Sequence, residues 1–456
     1  MTFRDCHPER AAFAALAVFA VAFALRLAVA LPALAANDWR RFERPDTPGY
    51  LVPALALARG EAYPGAGRVP GFPFFASWFL RGDSPEDPDF DPRPFVLVLC
   101  AVGGLAAAVV FFAGACRSYW TGVVAGGLYA FNLTAVANAP MLLTDTLFGL
   151  FPAVQFLLFM LFWRKKLVWC FIPLVLVAAL GTLIRPINVL WIIPALALLW
   201  LDFDKALPVK RKALLSLAGV AVFLAVLLPW MLRNEKLGAG FTLDTNTGAV
   251  YHQNGAMLMA EVNNTDFESE KTRLLAESEA EFSDTARYPD EAAREAWRLR
   301  RYREMVFSHP LVWLRQSATW KMLIPDAPTF WELCGLTSPG RGTMGVVAKY
   351  GFFAGVRHYF GGSWKMPVLT VLLLLPTVAL YAFALWMVIC DICRIRERWY
   401  ALVVFLAFAE YYLLLPGAIT APRYQIPALP VLCVMAAAFL VPAKGKAPAA
   451  NGEKKP

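Results

Sequence analysis

The chain has 456 residues, of which 59% are hydrophobic and 17% charged, and its net charge is +9. A soluble globular protein is about a quarter charged and less than half apolar, so this composition, with a mean hydropathy of +0.52, excludes that class. The basic residues lie in scattered clusters between apolar runs, which argues against nucleic acid as a partner and fits cationic clusters at a membrane surface.

Apolar runs of roughly 20 residues, enough to cross a bilayer, recur along the chain. They do not alternate with polar residues as barrel strands do. The pattern predicts an all-α polytopic membrane protein with spans at 11–35, 94–115, 119–139, 142–163, 167–184, 186–201, 213–232, 366–390, 399–416 and 424–441, about ten in all. The first run starts at Ala11 and is too long for the apolar region of a signal peptide, so it is read as a retained helix. Four parts follow. Residues 1–232 form an N-terminal transmembrane catalytic module with an outer loop at 36–93. Residues 233–365 form an extracytoplasmic, partly interfacial helical segment. C-terminal transmembrane helices occupy 366–441, and 442–456 is a disordered cytoplasmic tail.

Orientation follows from the short loops, because cytoplasmic loops carry the lysine and arginine excess. "WRKK", "DFDKALPVKRK" and "CDICRIRER" fall on one side of the span count, with both termini, and that side is read as cytoplasmic. The loop 36–93 breaks the rule with seven arginines, among them Arg68, which suggests that some of them serve an anionic ligand. In the second outer segment, "HPLVWLRQSATWKMLI" mixes tryptophan with cations, as an interfacial helix does. The eight cysteines lie mostly in apolar runs or at helix ends, so no disulfide framework is expected. Cys390 and Cys393 form an isolated C-x-x-C pair, read as two helix-end thiols.

This topology gathers ionisable residues on the outer face. Asp46 follows the first span in "RPDTPGY". Asp145 starts the fourth in "MLLTDTLFGLF". Arg185 sits in the turn "LIRPINV", Arg233 ends the seventh span in "LLPWMLRN", and Arg423 opens the last in "TAPRYQIPALP". Each residue alone has a structural explanation, as a turn former or a snorkelling cation. Together, ionisable groups at the edge of apolar segments are expensive and tend to mark a site. Guanidinium binds phosphate in a two-pronged way, so a phosphate is the natural partner.

"RPDTPGYLVPALALARG" followed by "RVPGFPFFASWFL" resembles the first outer loop of GT-C class membrane glycosyltransferases, in the family related to protein O-mannosyltransferases and bacterial lipid A glycosyltransferases. "LLTDTLFGLF", "LIRPINVLWIIPAL", "LPWMLRNEKLGAGFTL", "SHPLVWLRQSATWK" and "APRYQIPALPVL" resemble further segments of that family in the same order. The resemblance runs from about residue 20 to about residue 440. "VPGFP" departs from the Lys-Pro-Pro motif of the aminoarabinose transferases, and Asp145 stands where glutamate is commoner.

The resemblance implies a GT-C-type helical bundle, in a bacterial inner (plasma) membrane, that takes a sugar from a polyprenyl-phosphate donor at the periplasmic or extracellular face. The acceptor would be a hydroxyl of a glycolipid, polymer or protein. Asp46 is then the base, with Asp145 as a second catalytic acid. Arg185, Arg423, Arg233 and Tyr424 would hold the donor phosphate, and Tyr50 would orient the substrate. Membrane lipids are the other partners. A divalent metal, used by some relatives, is left open. Asp87, Asp89 and Asp91 have calcium-loop spacing, but Pro92 and Val98 stand where that loop needs glycine and glutamate. His252 and His309 are single histidines, read as structural. The alternative is a flippase or transporter of lipid-linked sugars, which would also show charges at the midplane or on the cytoplasmic side.

Overall fold

The computed structural model describes residues 8–82, 84–87, 90–201, 207–246, 248, 250–318, 320–337, 346, 349–363, 365–418 and 421–441. The expected tail at 442–456 and Asp89 lie outside them. Among the described residues every regular element is helical and there is no strand.

Six helices are long and apolar enough to cross a membrane: α1 (Pro8–Ala35), α4 (Arg93–Ala115), α7 (Thr144–Arg164), α10 (Val209–Lys236), Lys365–Cys393 and Pro422–Leu440. Between α1 and α4 lie two short helices, α2 (Pro48–Ala58) and α3 (Gly71–Ser77). The other four expected spans are shorter or interrupted, each for a local reason. The 119–139 run divides into α5 (Tyr119–Ala130) and α6 (Leu133–Ala137). The cause is Asn132, whose side chain accepts the Ala135 N–H and so starts a new helix. The runs at 167–184 and 186–201 become α8 (Phe171–Thr182) and α9 (Ile192–Leu201). Arg185 between them is extended (φ −140°, ψ 119°) because Pro186 follows it. The 399–416 run is interrupted by a π-helical turn at Leu406–Glu410, which separates Ile395–Phe405, itself kinked at non-helical Arg398, from Tyr411–Leu414.

α1 packs on α4, α4 on α5 and α7, α7 on α8, and α8 on α10, while Leu429–Leu440 lies against α5 and Lys365–Cys393. α4 and α5 touch through glycine: a Cβ on Gly122 would stand 2.7 Å from the Phe111 carbonyl oxygen. Small residues at such crossings let backbones approach closely where lipid gives no hydrophobic drive. One apolar core runs from Ala22 to Ala437, so the N-terminal and C-terminal helices form a single bundle. Leu214 and Leu217 of α10, with Val371 and Leu372 of the Lys365–Cys393 helix, point outward, as lipid-facing side chains do. The 233–365 segment has a small core of its own, built on Tyr251, Leu274 and Trp297. Met322 and Leu333 tie that segment into the main bundle.

The bundle has two unlike ends. At about 1.5 Å per residue, the 21 residues of α7 carry the chain roughly 30 Å from Asp145 to Arg164. The Asp145 end carries α2, α3 and the 233–365 segment. The Arg164 end carries Arg117 and Arg398, the latter paired to Asp391 at 2.8 Å.

Candidate functional site

The loop "RPDTP" is fixed before Asp46 has any partner. Thr47, fully buried, accepts the Arg44 backbone N–H at 2.9 Å and donates to the Leu142 carbonyl at 3.2 Å. The Leu142 N–H returns a bond to Phe42 O at 2.9 Å, so the loop is clamped to the entrance of α7. Pro48 then occupies the first turn of α2, where its missing N–H costs nothing.

Asp46 accepts from Arg423 Nη2 at 2.9 Å and from Arg68 Nη2 at 3.4 Å. Asp145, in the first turn of α7, accepts from Arg185 Nη1 at 2.8 Å and lies 3.7 Å from Arg423 Nε. Arg423 thus joins the two acids. The Tyr424 ring lies between two cations, 5.2 Å from the Arg185 guanidinium and 5.5 Å from that of Arg423. The Tyr50 ring lies 4.8 Å from the Arg68 guanidinium and meets Phe72 edge-on at 5.4 Å. Six of the seven residues singled out in the sequence therefore gather: Asp46, Asp145, Arg185, Arg423, Tyr424 and Tyr50.

Arg233 does not join them. Its guanidinium donates to the carbonyls of Gly65, at 2.9 Å, and Tyr63, and stacks 4.4 Å from the Trp230 ring. It staples the first loop to the end of α10 rather than facing the cavity, so a phosphate-holding role does not fit its place.

The gathered residues border a cavity of about 490 Å³ lined by Asp46, Tyr50, Arg68, Phe148, Arg185 and Tyr424, among others. Asp145 and Arg423 are not among the lining residues and sit one layer back. The two acids differ accordingly: the side chain of Asp46 is 44% exposed and that of Asp145 is 3%. Asp46 can meet an incoming group, whereas Asp145 can only position the arginines. Three arginines (Arg68, Arg185, Arg423) stand with Asp46 and Asp145 at this end of the cavity, and Asp244 is a third aspartate on its lining. A second, apolar groove lies next to it, lined by Leu57, Phe74, Phe151, Leu180 and Ile184. Ile184 lines both spaces.

Sequence reading did not single out three lining residues from the 233–365 segment: Asp244, Asn246 and Gln253. They come from a polar stretch with no periodicity to draw attention to them. Burial pushes the Asp244 carboxyl up to about 6, against the Asn246 backbone N–H and the charge of Arg68, which pull it down. Arg68 appeared only as one of seven loop arginines, and nothing local distinguished it. His252 bonds Ser278 at 3.0 Å and lines no part of this cavity.

A divalent cation does not fit the acids at this site. Both carboxylates are already bonded to guanidiniums, and a cation would displace those bonds while facing three positive charges. Among the described residues no group of three or more histidine, cysteine, aspartate or glutamate side chains could hold a metal. Asp91, of the calcium-spaced trio, pairs with Arg93 at 2.7 Å.

The fold and the site together define a helical membrane protein with a charged cavity set at one end of its bundle. No protein-family description, curated protein or solved structure matches the chain.

Proposed function

We propose that the chain transfers a sugar from a polyprenyl-phosphate donor to a hydroxyl acceptor, as the resemblance to GT-C glycosyltransferases implies. One observation supports this reading most: a cavity lined by two arginines, Arg68 and Arg185, shares a wall, at Ile184, with an apolar groove. A phosphate on a long apolar chain is a ligand with matching parts, the anion facing Arg185 and Arg68 and the chain lying along Leu57, Phe74, Phe151 and Leu180.

In the step proposed, the acceptor oxygen attacks the anomeric carbon from the face opposite the phosphate. The carbon–oxygen bond to phosphate breaks, and its electron pair leaves on the lipid phosphate. The acceptor proton passes to the Asp46 carboxylate, and the anomeric centre inverts. The leaving group is a stable anion that needs positive charge more than a proton, and preorganised guanidiniums supply it without reorganising. Asp46 is held at the cavity wall by Arg423 and Arg68, where a base must be close to its proton. Asp145 and Arg423 act as positioning residues. Tyr50 and Tyr424 present ring faces that fix the cations.

The test uses purified protein in nanodiscs with radiolabelled polyprenyl-phosphate sugars and a total lipid and glycan extract as acceptor. Asp46→Asn keeps the shape and removes the basicity. Transfer should fall by about a thousand-fold while donor binding persists. Near wild-type transfer in that variant sinks the assignment. We further place the cavity on the periplasmic face of a bacterial inner membrane. Single cysteines at Glu279 and Lys210 test this, since an impermeant reagent should label the Glu279→Cys protein in intact cells and spare the Lys210→Cys protein.

A further inference from the structure

The cavity lining holds two chemically different sets of side chains. One comprises Arg68, Arg185 and the aromatic faces of Tyr50 and Tyr424. The other comprises Asp244, Asn246 and Gln253. The second set is held firmly. Trp230 Nε1 donates to Leu243 O at 2.8 Å, and the buried Asn234 side chain donates to Thr242 O and Leu243 O at 2.9 and 3.1 Å. The Thr245 N–H bonds Ala66 O at 3.0 Å, so this strip is tied to the same first loop that carries Asp46 and Arg68. Gln253 stands on the π-helical turn Val250–Gly255, whose Tyr251 is wholly buried in the segment's own core. Such turns recur at functional sites, where the extra residue re-aims side chains.

The Asp244 carboxylate accepts the Asn246 backbone N–H and keeps further acceptor capacity. Among the described residues no lysine or arginine lies within ion-pair distance of the Asp244 carboxylate. The side-chain amides of Asn246 and Gln253 likewise bond no described residue. A carboxylate accepts hydrogen bonds and an amide both donates and accepts. Together they match a group rich in hydroxyls, and the Asp244 carboxylate disfavours a phosphate. The lining thus offers guanidiniums to an anion and a carboxylate with two amides to hydroxyls.

Resting on the glycosyl-transfer reading above, we propose that Asp244, Asn246 and Gln253 bind the hydroxyls of the donor's sugar and set which sugar is accepted. The phosphate faces Arg185 and Arg68, and the sugar attached to it turns toward Asp244, Asn246 and Gln253. Asp244 accepts from a sugar hydroxyl, and desolvation, which already lifts its carboxyl, strengthens that bond.

The experiment separates the sugar from its carrier. The ligands are a polyprenyl methyl phosphate, which has the same charge and chain but no sugar, and polyprenyl phosphates bearing glucose, mannose, galactose, arabinose or N-acetylglucosamine. Affinities are measured on the full chain in nanodiscs. The wild type should prefer at least one sugar diester over the methyl diester by about ten-fold, the worth of a hydrogen bond to a charged group. Asp244→Asn and Gln253→Ala should each lose most of that preference and bind the methyl diester as the wild type does. Gln253 is exposed at the cavity, so its variant folds even if the Asp244 variant does not. The proposal is overturned if both variants keep the preference, or if the wild type shows none for any sugar in the set. A different result strikes the glycosyl-transfer reading itself: wild type and Arg185→Ala binding the methyl diester equally weakly.

Discussion

Arg26 and Arg185 are both arginines set within one bundle, and their surroundings are opposite. Arg26 lies in α1 with none of its surface exposed. Its Nη1 donates to Ala22 O at 2.9 Å and Ala130 O at 3.4 Å, while Nε and Nη2 have no hydrogen-bond partner among the described residues. Among those residues no carboxylate pairs with it, and the guanidinium rests 5.8 Å from the Tyr129 ring. Gly103 makes the room, since a Cβ there would stand 2.5 Å from Nε. Arg185 is paired to Asp145 at 2.8 Å, flanked by two aromatic rings, and opens on a cavity. A charge in an apolar bundle is costly wherever it lies, and cost alone does not mark a site. What separates Arg185 is an acid that orients it and an open space in front of it.

The largest effect that sharpens this contrast is expected at Arg185. Lysine keeps its charge but cannot reproduce a two-pronged bond to phosphate while also holding Asp145. Arg185→Lys should weaken binding of a polyprenyl phosphate by about ten-fold, and Arg185→Ala by about a hundred-fold or more. The measurement is direct binding in nanodiscs. Wild-type affinity in both variants would make Arg185 the same kind of residue as Arg26.

Arg233 is a third kind, and the effect expected there is smaller. It bonds two carbonyls of the first loop and stacks on Trp230, so it acts on the site through the loop that carries Arg68 and Asp46. Arg233→Ala should cost about 1–3 kcal/mol of local stability. It should speed hydrogen exchange at 63–69 and lower polyprenyl-phosphate affinity only a few-fold, roughly a kcal/mol in binding. A loss as large as that in Arg185→Ala, with loop exchange unchanged, would put Arg233 in contact with the ligand instead.

These three arginines also show what the sequence could and could not reveal. Arg185 was legible because proline follows it, and that pair fixes an extended turn between two apolar runs. Asp46 and Arg423 were legible for similar reasons, each set beside proline at the edge of a span. Arg233 looked the same in sequence, at the end of an apolar helix, yet its partners are backbone carbonyls that no side-chain pattern encodes. Arg26 drew no notice, because one cation inside "VAFALRLAVAL" leaves the run apolar enough to span. Arg68 and Asp244 reach the cavity by way of irregular loops, whose paths depend on bonds such as Thr245 to Ala66 across the fold, and Gln253 by a π-helical turn. Of the ten expected spans, six are single helices long and apolar enough to cross a membrane. Apolarity marks a run, but Asn132, Pro186 and the π-helical turn at Leu406–Glu410 decide whether the run is one helix.

The smallest effect is expected at Arg26, and there the contrast is easiest to break. Its guanidinium fills space between α1, α4 and α5 and leaves two nitrogens unbonded. Replacing a buried, poorly paired charge by an apolar side chain of similar length is often neutral or stabilising. Methionine suits the gap because its chain is unbranched and adaptable. Arg26→Met should leave the unfolding temperature unchanged or a few degrees higher, within about 1 kcal/mol, and polyprenyl-phosphate affinity unaltered. Arg26→Ala, which opens a cavity beside Gly103, should instead lower stability by about 2–4 kcal/mol, again without touching affinity. If Arg26→Met folds normally but loses ligand binding by ten-fold or so, then a charge deep in the bundle serves the ligand after all. That result would favour passage of a lipid-linked sugar through the bundle over its transfer at one end.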